Sequence, residues 1–295
     1  MVRLDQSWSA PVVEWRLGLS ESAQHERLGR DGELLARWPP APFETEPTEC
    51  FRLGDAYWIW QRGVGGIEFY SDRAAFRAYP SPGTDRSGFE HLVTRSWLPA
   101  IYQLWGRQVL HASGAVWAEL DRVLALAGPS GAGKSTLAFG LARRSGWAQV
   151  SDDTLAFSCS TAGVTLHPLV NDARLRPATA AHYGHSGART ERLDWPERPL
   201  RLAAVYFIRG DEDLAVPVEI SRLAPAQSYP RLLEQAHAFT LQIPSHNQRL
   251  MRDYLALTAA VPVFALTYRR SFDSLDTTLA ALERHWLDEV VARPA

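Results

Sequence analysis

The stretch Arg122–Thr136 reads RVLALAGPSGAGKST, and it decides how the rest of the chain is interpreted. An apolar run typical of a buried strand, Val123–Ala127, ends at a glycine and leads through small residues to Lys-Ser-Thr. The spacing matches G-x-x-x-x-G-K-[ST], the phosphate-binding P-loop or Walker A motif. Gly131 and Gly133 would permit a positive φ, which turns successive N–H groups toward phosphate oxygens. The stretch therefore predicts a strand, a phosphate loop and a helix, in that order.

Each position of this motif has an expected role in holding a nucleotide. Lys134 would reach the β- and γ-phosphates, and the hydroxyl of Ser135 would bind Mg²⁺. A helix that begins near Gly133 would add the positive end of its dipole. The predicted ATP and Mg²⁺ site comprises Gly128, Pro129, Ser130, Gly131, Ala132, Gly133, Lys134, Ser135 and Thr136. The alternative is a glycine-rich turn between strand and helix that binds no ligand.

The basic residues of the chain are almost entirely arginine. Of 31 Lys and Arg residues, Lys134 is the only lysine. The ammonium group of lysine is a compact point charge, whereas the guanidinium of arginine is a wide planar fork that would not fill the same space. A chain that uses arginine everywhere else indicates a specific requirement for lysine in the loop.

Composition limits the class of protein. The 295 residues can form one large domain or two modest ones, and 46% hydrophobic residues suffice for a packed core. A formal net charge of -2 argues against a general nucleic-acid binder. The two cysteines lack metal-ligand spacing and are expected to be reduced. With no signal-peptide pattern and no apolar run long enough for a membrane helix, we expect a cytoplasmic protein without nucleic-acid or membrane partners.

The pattern along the chain predicts an α/β fold in three parts. Residues 1–86 contain short β-type runs separated by Gly and Pro turns, which is typical of a small β-rich domain. Residues 87–106 carry apolar residues at three- and four-residue intervals, which favours a connecting helix that Ser87 would cap. Residues 107–295 would form the P-loop catalytic domain.

Several connecting segments have weaker patterns. Residues 29–32 contain two glycines and predict a hairpin turn between strands at 12–19 and 33–38. Residues 171–177 predict a loop or a short helix. Residues 182–199 are polar and contain glycine, which predicts a mobile loop.

Asp152 and Asp153 form a second candidate site. They follow a predicted strand at residues 147–150, and strand ends in open α/β sheets face the ligand crevice. Two adjacent carboxylates are unfavourable unless a cation or hydrogen-bond donors compensate them. One carboxylate could organise Mg²⁺ while the other accepts a proton from an attacking hydroxyl. The alternative is a solvated turn, where aspartate is common.

His111, Arg174 and Arg176 are weaker candidates. His111 lies in a predicted strand at residues 108–117, and from the residues alone a packed, hydrogen-bonded core histidine is favoured. Arg174 and Arg176 flank Leu175, so on an extended chain they share a face. They could neutralise a γ-phosphate or a phosphorylated product, or they could form ordinary surface salt bridges.

The order of these motifs resembles the catalytic domain of bacterial HPr kinase/phosphorylase. The resemblance rests on Leu-His at 110–111, on the GPSGAGKST loop and on Val-Ser-Asp-Asp at 150–153, and it covers about residues 108–158. It implies an HPr-kinase-like nucleotide-binding fold for the P-loop domain. It also implies that Lys134 and Ser135 bind phosphate and Mg²⁺.

The same resemblance implies roles for two further residues, His111 and Asp153. His111 would be an active-site histidine near the transferred phosphate, and Asp153 would be the general base toward a serine hydroxyl. Asp152 is then left as the second Mg²⁺ ligand beside the serine of the loop. Arg174 and Arg176 complete the predicted catalytic set.

One departure from the family narrows the expected activity. The family's Arg-Gly-Leu-Gly segment, which is tied to both phosphorylation and dephosphorylation, has no match, and LVNDARLRP occupies residues 169–177. This argues against phosphorylase activity and against HPr as the substrate. The chain is more similar to stand-alone HPr-kinase-like proteins, some of which resemble tailoring kinases of peptide biosynthesis such as lasso-peptide serine kinases.

The leading hypothesis is an ATP- and Mg²⁺-dependent kinase acting on a serine hydroxyl of a protein or peptide. One alternative is a small-molecule kinase with the same nucleotide site. The other is a non-catalytic module in which ATP orders residues 182–199. No LSGGQ-like signature follows the P-loop, which argues against a transport ATPase. A homo-oligomer and phosphate donors other than ATP are left open.

Overall fold

The protein is a mixed α/β structure with sheets of six, nine and two strands among its described residues. The computed structural model describes residues 12–15, 21–40, 45–72, 75–169, 172–196, 198–237 and 243–292. The chain divides into two compact units, one of residues 1–107 with 238–249 and one of residues 108–237 with 250–295. None of the described helices is long and apolar enough to cross a membrane.

The first unit is built on the six-stranded sheet. Its strands are β1 (Val12–Trp15), β2 (Glu33–Trp38), β3 (Thr48–Leu53), β4 (Ala56–Gln61), β5 (Gly65–Tyr70) and β6 (Ala75–Pro80). They lie in the order β1-β6-β5-β4-β3-β2, with β1 parallel to β6 and every other pair antiparallel. The predicted strand at residues 33–38 is therefore confirmed, whereas residues 16–19 of the predicted strand at 12–19 lie outside the described residues.

A helix stands where the sequence predicted a hairpin turn at residues 29–32. Helix α1 (Glu21–Asp31) precedes β2, and the turn prediction is wrong. Leu28 anchors the helix by packing in a buried cluster with Phe51 and Trp58. Because the rest of this helix is strongly polar, it shows little of the apolar periodicity from which helices are predicted.

The helical segment after β6 has a defined irregularity. It comprises α2 (Arg86–Leu92), a π-helical turn at Val93–Trp97 and α3 (Leu98–Leu104). The cap is Asp85, whose carboxylate accepts a hydrogen bond of 2.7 Å from the Gly88 N–H, and not Ser87 as predicted. Pro99 lacks an N–H to donate to the preceding turn, which accounts for the departure from α-helical geometry before it.

The second unit contains the nine-stranded sheet, a two-stranded ribbon and most of the remaining helices. The strands are β7 (Gln108–Leu110), β8 (Ala112–Trp117), β9 (Arg122–Ala127), β10 (Trp147–Ser151), β11 (Leu155–Ser160), β12 (Gly163–His167), β13 (Asp172–Leu175), β14 (Arg189–Arg192), β15 (Leu200–Asp211), β16 (Val218–Arg222) and β17 (Val263–Arg269). The helices are α4 (Lys134–Ala142), α5 (Pro177–His182), α6 (Pro225–Glu234), α7 (Pro244–Ala260), which begins in the first unit, and α8 (Leu275–Trp286), which continues as a π-helical turn over Leu287–Val291.

Strand β9 shows how this sheet is packed. Its residues alternate between the two faces, as they must in an extended strand. Val123 and Ala125 belong to a core that includes residues of α6 and α7, whereas Leu124 and Leu126 belong to a core that includes residues of α4 and α8. The strand is buried on both sides, which is why its sequence is continuously apolar.

Two segments that lack a strand pattern, one predicted as a loop or a short helix and the other as a mobile loop, each contain a short strand of a ribbon. Strand β13 occupies most of residues 171–177, and β14 lies within residues 182–199. The two strands pair antiparallel, with Arg174 opposite Thr190. Neither segment has a strong strand pattern of its own. The two strands form by pairing with each other, and the pattern of one segment alone does not show that pairing.

Candidate active site

The P-loop lies at the edge of the sheet where the parallel strands end. Strands β9, β15 and β17 run parallel, and their carboxyl ends lead into the loop, to Glu212 and to Arg270. Strand β8 is antiparallel to β9, and β10 is antiparallel to β8, so the start of β8 and the end of β10 reach the same edge. Ligand crevices of open α/β sheets lie at this edge.

The loop geometry follows the predicted pattern of glycines. Gly131 has φ 82° and Gly133 has φ 97°, both in the left-handed region that side chains disfavour. Gly133 also directly precedes α4, and a Cβ there would overlap the hydroxyl of Tyr268. That hydroxyl donates a hydrogen bond of 2.8 Å to the carbonyl of Ala132. The loop is thus braced from the end of β17, and glycine is required at position 133.

Lys134 folds back over the loop that it follows. Its side chain is buried, and Nζ donates hydrogen bonds to the carbonyls of Gly128 at 2.8 Å and Pro129 at 3.2 Å. Burial lowers the pKa of Lys134, and the carboxylates of Asp153 and Asp152 offset part of that shift. An ammonium group has three donors, so these two contacts leave capacity for a phosphate oxygen.

His111 and Asp153 meet beside the loop. His111 Nδ1 lies 3.3 Å from Asp153 Oδ1, and the two side chains are 30% and 49% exposed. Burial lowers the pKa of His111, while the Asp153 carboxylate acts in the opposite direction. The histidine is therefore not a buried core residue, as the residues alone had favoured, but a partly exposed partner of the carboxylate.

A break in the chain's pairing positions His111. The predicted strand at residues 108–117 is divided at this residue, because β7 pairs with β11 whereas β8 pairs with β9 and β10. At the break, the His111 N–H donates to the Gln235 carbonyl at 2.7 Å. The ring of His237 lies edge-on to that of His111, with 5.6 Å between centroids. The segment after α6 therefore fixes the backbone of His111 through Gln235 and packs against one side of its ring through His237.

Asp152 faces away from this pair. It is 6% exposed, and its Oδ2 accepts a hydrogen bond of 2.8 Å from the backbone N–H of Arg174 in β13. Its backbone carbonyl accepts a hydrogen bond from the Ser113 hydroxyl. The carboxylate is thus engaged with β13, and its predicted role as an Mg²⁺ ligand stays a prediction.

Arg174 and Arg176 share a face, as predicted. Both are exposed, and the intervening Leu175 is buried. Gly131 lies so close to Arg176 that an added Cβ would be 4.0 Å from Nη1. The extended conformation of β13 therefore presents two guanidinium groups to the phosphate loop, one of them directly above it.

One pocket of about 650 Å³ unites most of these groups. Its lining includes every predicted catalytic residue, namely His111, Lys134, Asp153, Arg174 and Arg176, together with Ser130, Gly131, Gly133, Ser135 and Thr136 of the loop. Four predicted residues are not part of the lining: Gly128, Pro129, Ala132 and Asp152. The volume is within the usual range for a small-molecule site, about 300–1,000 Å³.

The chemistry of the lining fits a nucleotide with a divalent cation. Its cations, Lys134, Arg174, Arg176 and Arg270, outnumber its carboxylates, Asp153 and Glu212. No described residues form a cluster of three or more His, Cys, Asp or Glu side chains able to hold a metal alone. Mg²⁺ commonly binds one or two carboxylates plus substrate phosphates. The pocket offers oxygen ligands for such an ion, namely the hydroxyl of Ser135 and the carboxylates of Asp153 and Glu212.

Several pocket residues were missed by the sequence analysis. Tyr268, Arg270 and Phe272 come from the end of β17 and the turn after it, and Glu212 follows β15. His237 lies behind His111. None of these residues belongs to a motif, and only the parallel pairing of β9, β15 and β17 brings Tyr268, Arg270, Phe272 and Glu212 to the loop. The apolar run of β15 could have suggested that its end is part of the site.

Comparisons with solved structures find similar chains. The structure of the Hpr(Ser) kinase/phosphatase from Coxiella burnetii matches with a TM-score of 0.33 and 14% identity, over 63% of this chain and 95% of that chain. No protein-family model matches the chain, and no curated protein does. With a TM-score of 0.33, the inference of function depends on the geometry of the site itself.

Proposed function

We propose that this protein is an ATP- and Mg²⁺-dependent kinase that transfers the γ-phosphate to a hydroxyl, with serine of a protein or peptide as the expected acceptor. The observation that carries the proposal is the position of Asp153. Its carboxylate lines the same pocket as Lys134 and Ser135 of the loop, and it acts electrostatically on the lysine. A nucleotide-binding loop alone needs no such carboxylate, whereas phosphoryl transfer to a hydroxyl needs a proton acceptor.

The chemical step assigns a task to each group. Asp153 accepts the acceptor's hydroxyl proton while the oxygen forms its bond to the γ-phosphorus and the bond to the bridging oxygen of ADP breaks. Lys134 stays with the β- and γ-phosphates, and Arg174 and Arg176 face the charge that spreads over the transferred group. Mg²⁺, held by the Ser135 hydroxyl and the phosphates, would neutralise phosphate charge.

His111 supports the base and is not itself the proton acceptor in this proposal. Its Nδ1 lies 3.3 Å from Asp153 Oδ1, so a neutral imidazole with its proton on Nδ1 is placed to donate to the carboxylate and to orient it. The lowered pKa of His111 favours that neutral form at pH 7. Asp153 then keeps one oxygen directed at the acceptor.

Transfer of radiolabel from [γ-³²P]ATP tests the proposal. The acceptors are a library of serine peptides, the same peptides with alanine for serine, a panel of free hydroxyl metabolites and a blank. Label on serine peptides alone supports a peptide or protein kinase, and label on metabolites alone supports a small-molecule kinase. ATP binding without transfer in any arm would favour a non-catalytic module, and no ATP binding would overturn the assignment of the site.

A further inference from the structure

Phe272 is an apolar ring at the edge of a charged pocket. It lies on the turn between β17 and α8, lines the pocket and is 40% exposed. One face of the ring is covered by the imidazole of His182, at 4.7 Å between centroids and 19° between planes. A large exposed ring that is stacked on one side has its other face available for a planar ligand.

The turn that carries Phe272 is held firmly. The Ser274 hydroxyl bonds to the carbonyls of Arg269 at 2.7 Å and Ser271 at 3.1 Å. The Arg270 N–H donates to the Asp211 carbonyl at 3.2 Å, which ties the turn to the end of β15. These contacts hold the backbone of the turn in place, and the ring itself packs against His182.

The His182 ring that covers one face of Phe272 is itself connected by aromatic contacts to α4, the helix that follows the P-loop. His182 meets Tyr183 edge-on at 4.9 Å, and Tyr183 meets the buried Phe139 of α4 at 5.0 Å. Arg143 lies over both of these last two rings. A row of aromatic groups therefore runs from the core under the loop to Phe272.

The arrangement of these groups also indicates how a nucleotide would be oriented in the pocket. The γ-phosphate belongs at Asp153, where the proton acceptor is. Asp153 follows β10 and Phe272 follows β17, and in the sheet these two strands lie on opposite sides of β9, the strand that leads into the loop. On the side of Phe272, Thr136 bonds to Thr179 of α5 at 3.0 Å, and α5 ends at His182, the partner of Phe272. A nucleotide with its terminal phosphate at Asp153 therefore extends its base toward the aromatic row.

We propose that the exposed face of Phe272 is the stacking platform for the nucleobase of the phosphate donor. This inference rests on the proposed function, because it takes the orientation of the triphosphate from the position of the base Asp153. It assigns a chemical class, a heteroaromatic base, to the part of the pocket where the aromatic ring of Phe272 is exposed. Stacking on a rigid ring recognises the π-face of the base.

Isothermal titration calorimetry of MgATP and of magnesium tripolyphosphate tests the platform on the full chain. Phe272→Ala and Phe272→Leu are expected to weaken MgATP binding by about 5- to 150-fold, the range for losing one base–aromatic stack. Both should leave tripolyphosphate affinity within two-fold, because that ligand has no base. Phe272→Tyr keeps the ring face and should bind MgATP like the wild type. Circular dichroism melting establishes that each variant is folded.

The two ligands separate this inference from the proposed function. Lys134→Ala should weaken both ligands, because it acts on phosphate. If the wild type binds both ligands but Phe272→Ala and Phe272→Leu leave the ratio of their affinities unchanged, the platform is refuted and the phosphate site stands. If the wild type binds neither ligand, the proposed function and the platform both fail.

Discussion

The carboxylate of Asp152 holds the backbone N–H of Arg174 at 2.8 Å. This bond connects the segment after β10, which carries Asp153, to β13, which carries the two pocket arginines. A side chain that was expected to bind metal is therefore in contact with the strand that presents the cations. A single hydrogen bond to the charged Asp152 carboxylate therefore positions Asp153 relative to the two arginines of the pocket.

Replacing Asp152 separates this positioning role from metal binding. Asp152→Ala leaves the Arg174 N–H without its acceptor, and a hydrogen bond to a charged group contributes about 1.5–3 kcal/mol. We expect a lower Tm and weaker MgATP binding. Asp152→Asn retains an acceptor oxygen and should recover most of both. If instead the Asn variant needs as much additional Mg²⁺ as the Ala variant in a metal titration, Asp152 binds the metal.

Asp153→Asn should remove transfer and spare binding. The amide keeps the size of the side chain but cannot take up the acceptor's proton, so single-turnover transfer should fall by about 10²–10⁴-fold. MgATP affinity should stay within a few-fold of the wild type, since the loop holds the phosphates. His111→Gln, which can still donate a hydrogen bond to Asp153, should have a smaller effect. Wild-type transfer by Asp153→Asn would remove the general base from the proposal.

Lys134→Arg is the informative substitution in the loop. The guanidinium keeps the charge but cannot place a compact donor between the carbonyls of Gly128 and Pro129. We expect Lys134→Arg to lose MgATP binding to about the same extent as Lys134→Ala. An arginine variant with wild-type affinity, measured by calorimetry, would show that the single lysine is incidental.

Gly133 and Tyr268 should be energetically coupled. Gly133→Ala places a methyl against the Tyr268 hydroxyl and adds a left-handed backbone penalty of about 1–2 kcal/mol. In Tyr268→Phe the hydroxyl is gone, and the nearest ring carbon is 3.4 Å from the new Cβ. Gly133→Ala should therefore cost less stability in the Phe background. A double-mutant cycle of urea unfolding measures this, and additive effects would contradict the contact.

His237 should make stability depend on pH in the acidic range. Burial, with a smaller contribution from His111, lowers its pKa to about 4, while Asp153 acts in the opposite direction. The unfolded chain would bind a proton below about pH 6.5 that the folded chain resists, so stability is retained above that pH and is lost as pH falls toward 4. The loss from this residue is about 3 kcal/mol.

Urea unfolding of wild type and His237→Gln at pH 7 and pH 4.5 measures this loss. The wild type should lose more stability between the two pH values than the variant, because glutamine does not titrate. Parallel pH dependence of the two proteins would show that His237 titrates as it does in the unfolded chain.

The features that could be predicted from the sequence depend on residues close together in the chain. The P-loop glycines and the shared face of Arg174 and Arg176 follow from spacing within a few residues, and the structure has them as expected. Helix α1 was missed because Leu28 is the one large apolar residue in its sequence, so it lacks the periodicity that marks a helix. The pairing of β13 with β14 was missed because it joins distant segments.

The same difference between local patterns and long-range pairing decides which residues of the site could be predicted from the sequence. Lys134 and Ser135 belong to a motif, and Asp153 stands beside a predicted strand end. Tyr268 and Phe272 lie more than 130 residues after the loop and reach it only because β17 pairs in parallel with β15. Such a contact has no sequence pattern, since it arises from the order of strands in the sheet.

The burial of the only lysine gives the protein a single internal reporter amine. Apart from the α-amino group, an amine-selective reagent has one side chain to modify, and that side chain is in contact with the P-loop carbonyls. Its lowered pKa increases the fraction of the nucleophilic free amine at a given pH. The rate of acylation, followed by intact mass, would therefore report occupancy of the proposed nucleotide site in the unlabelled, unmutated chain.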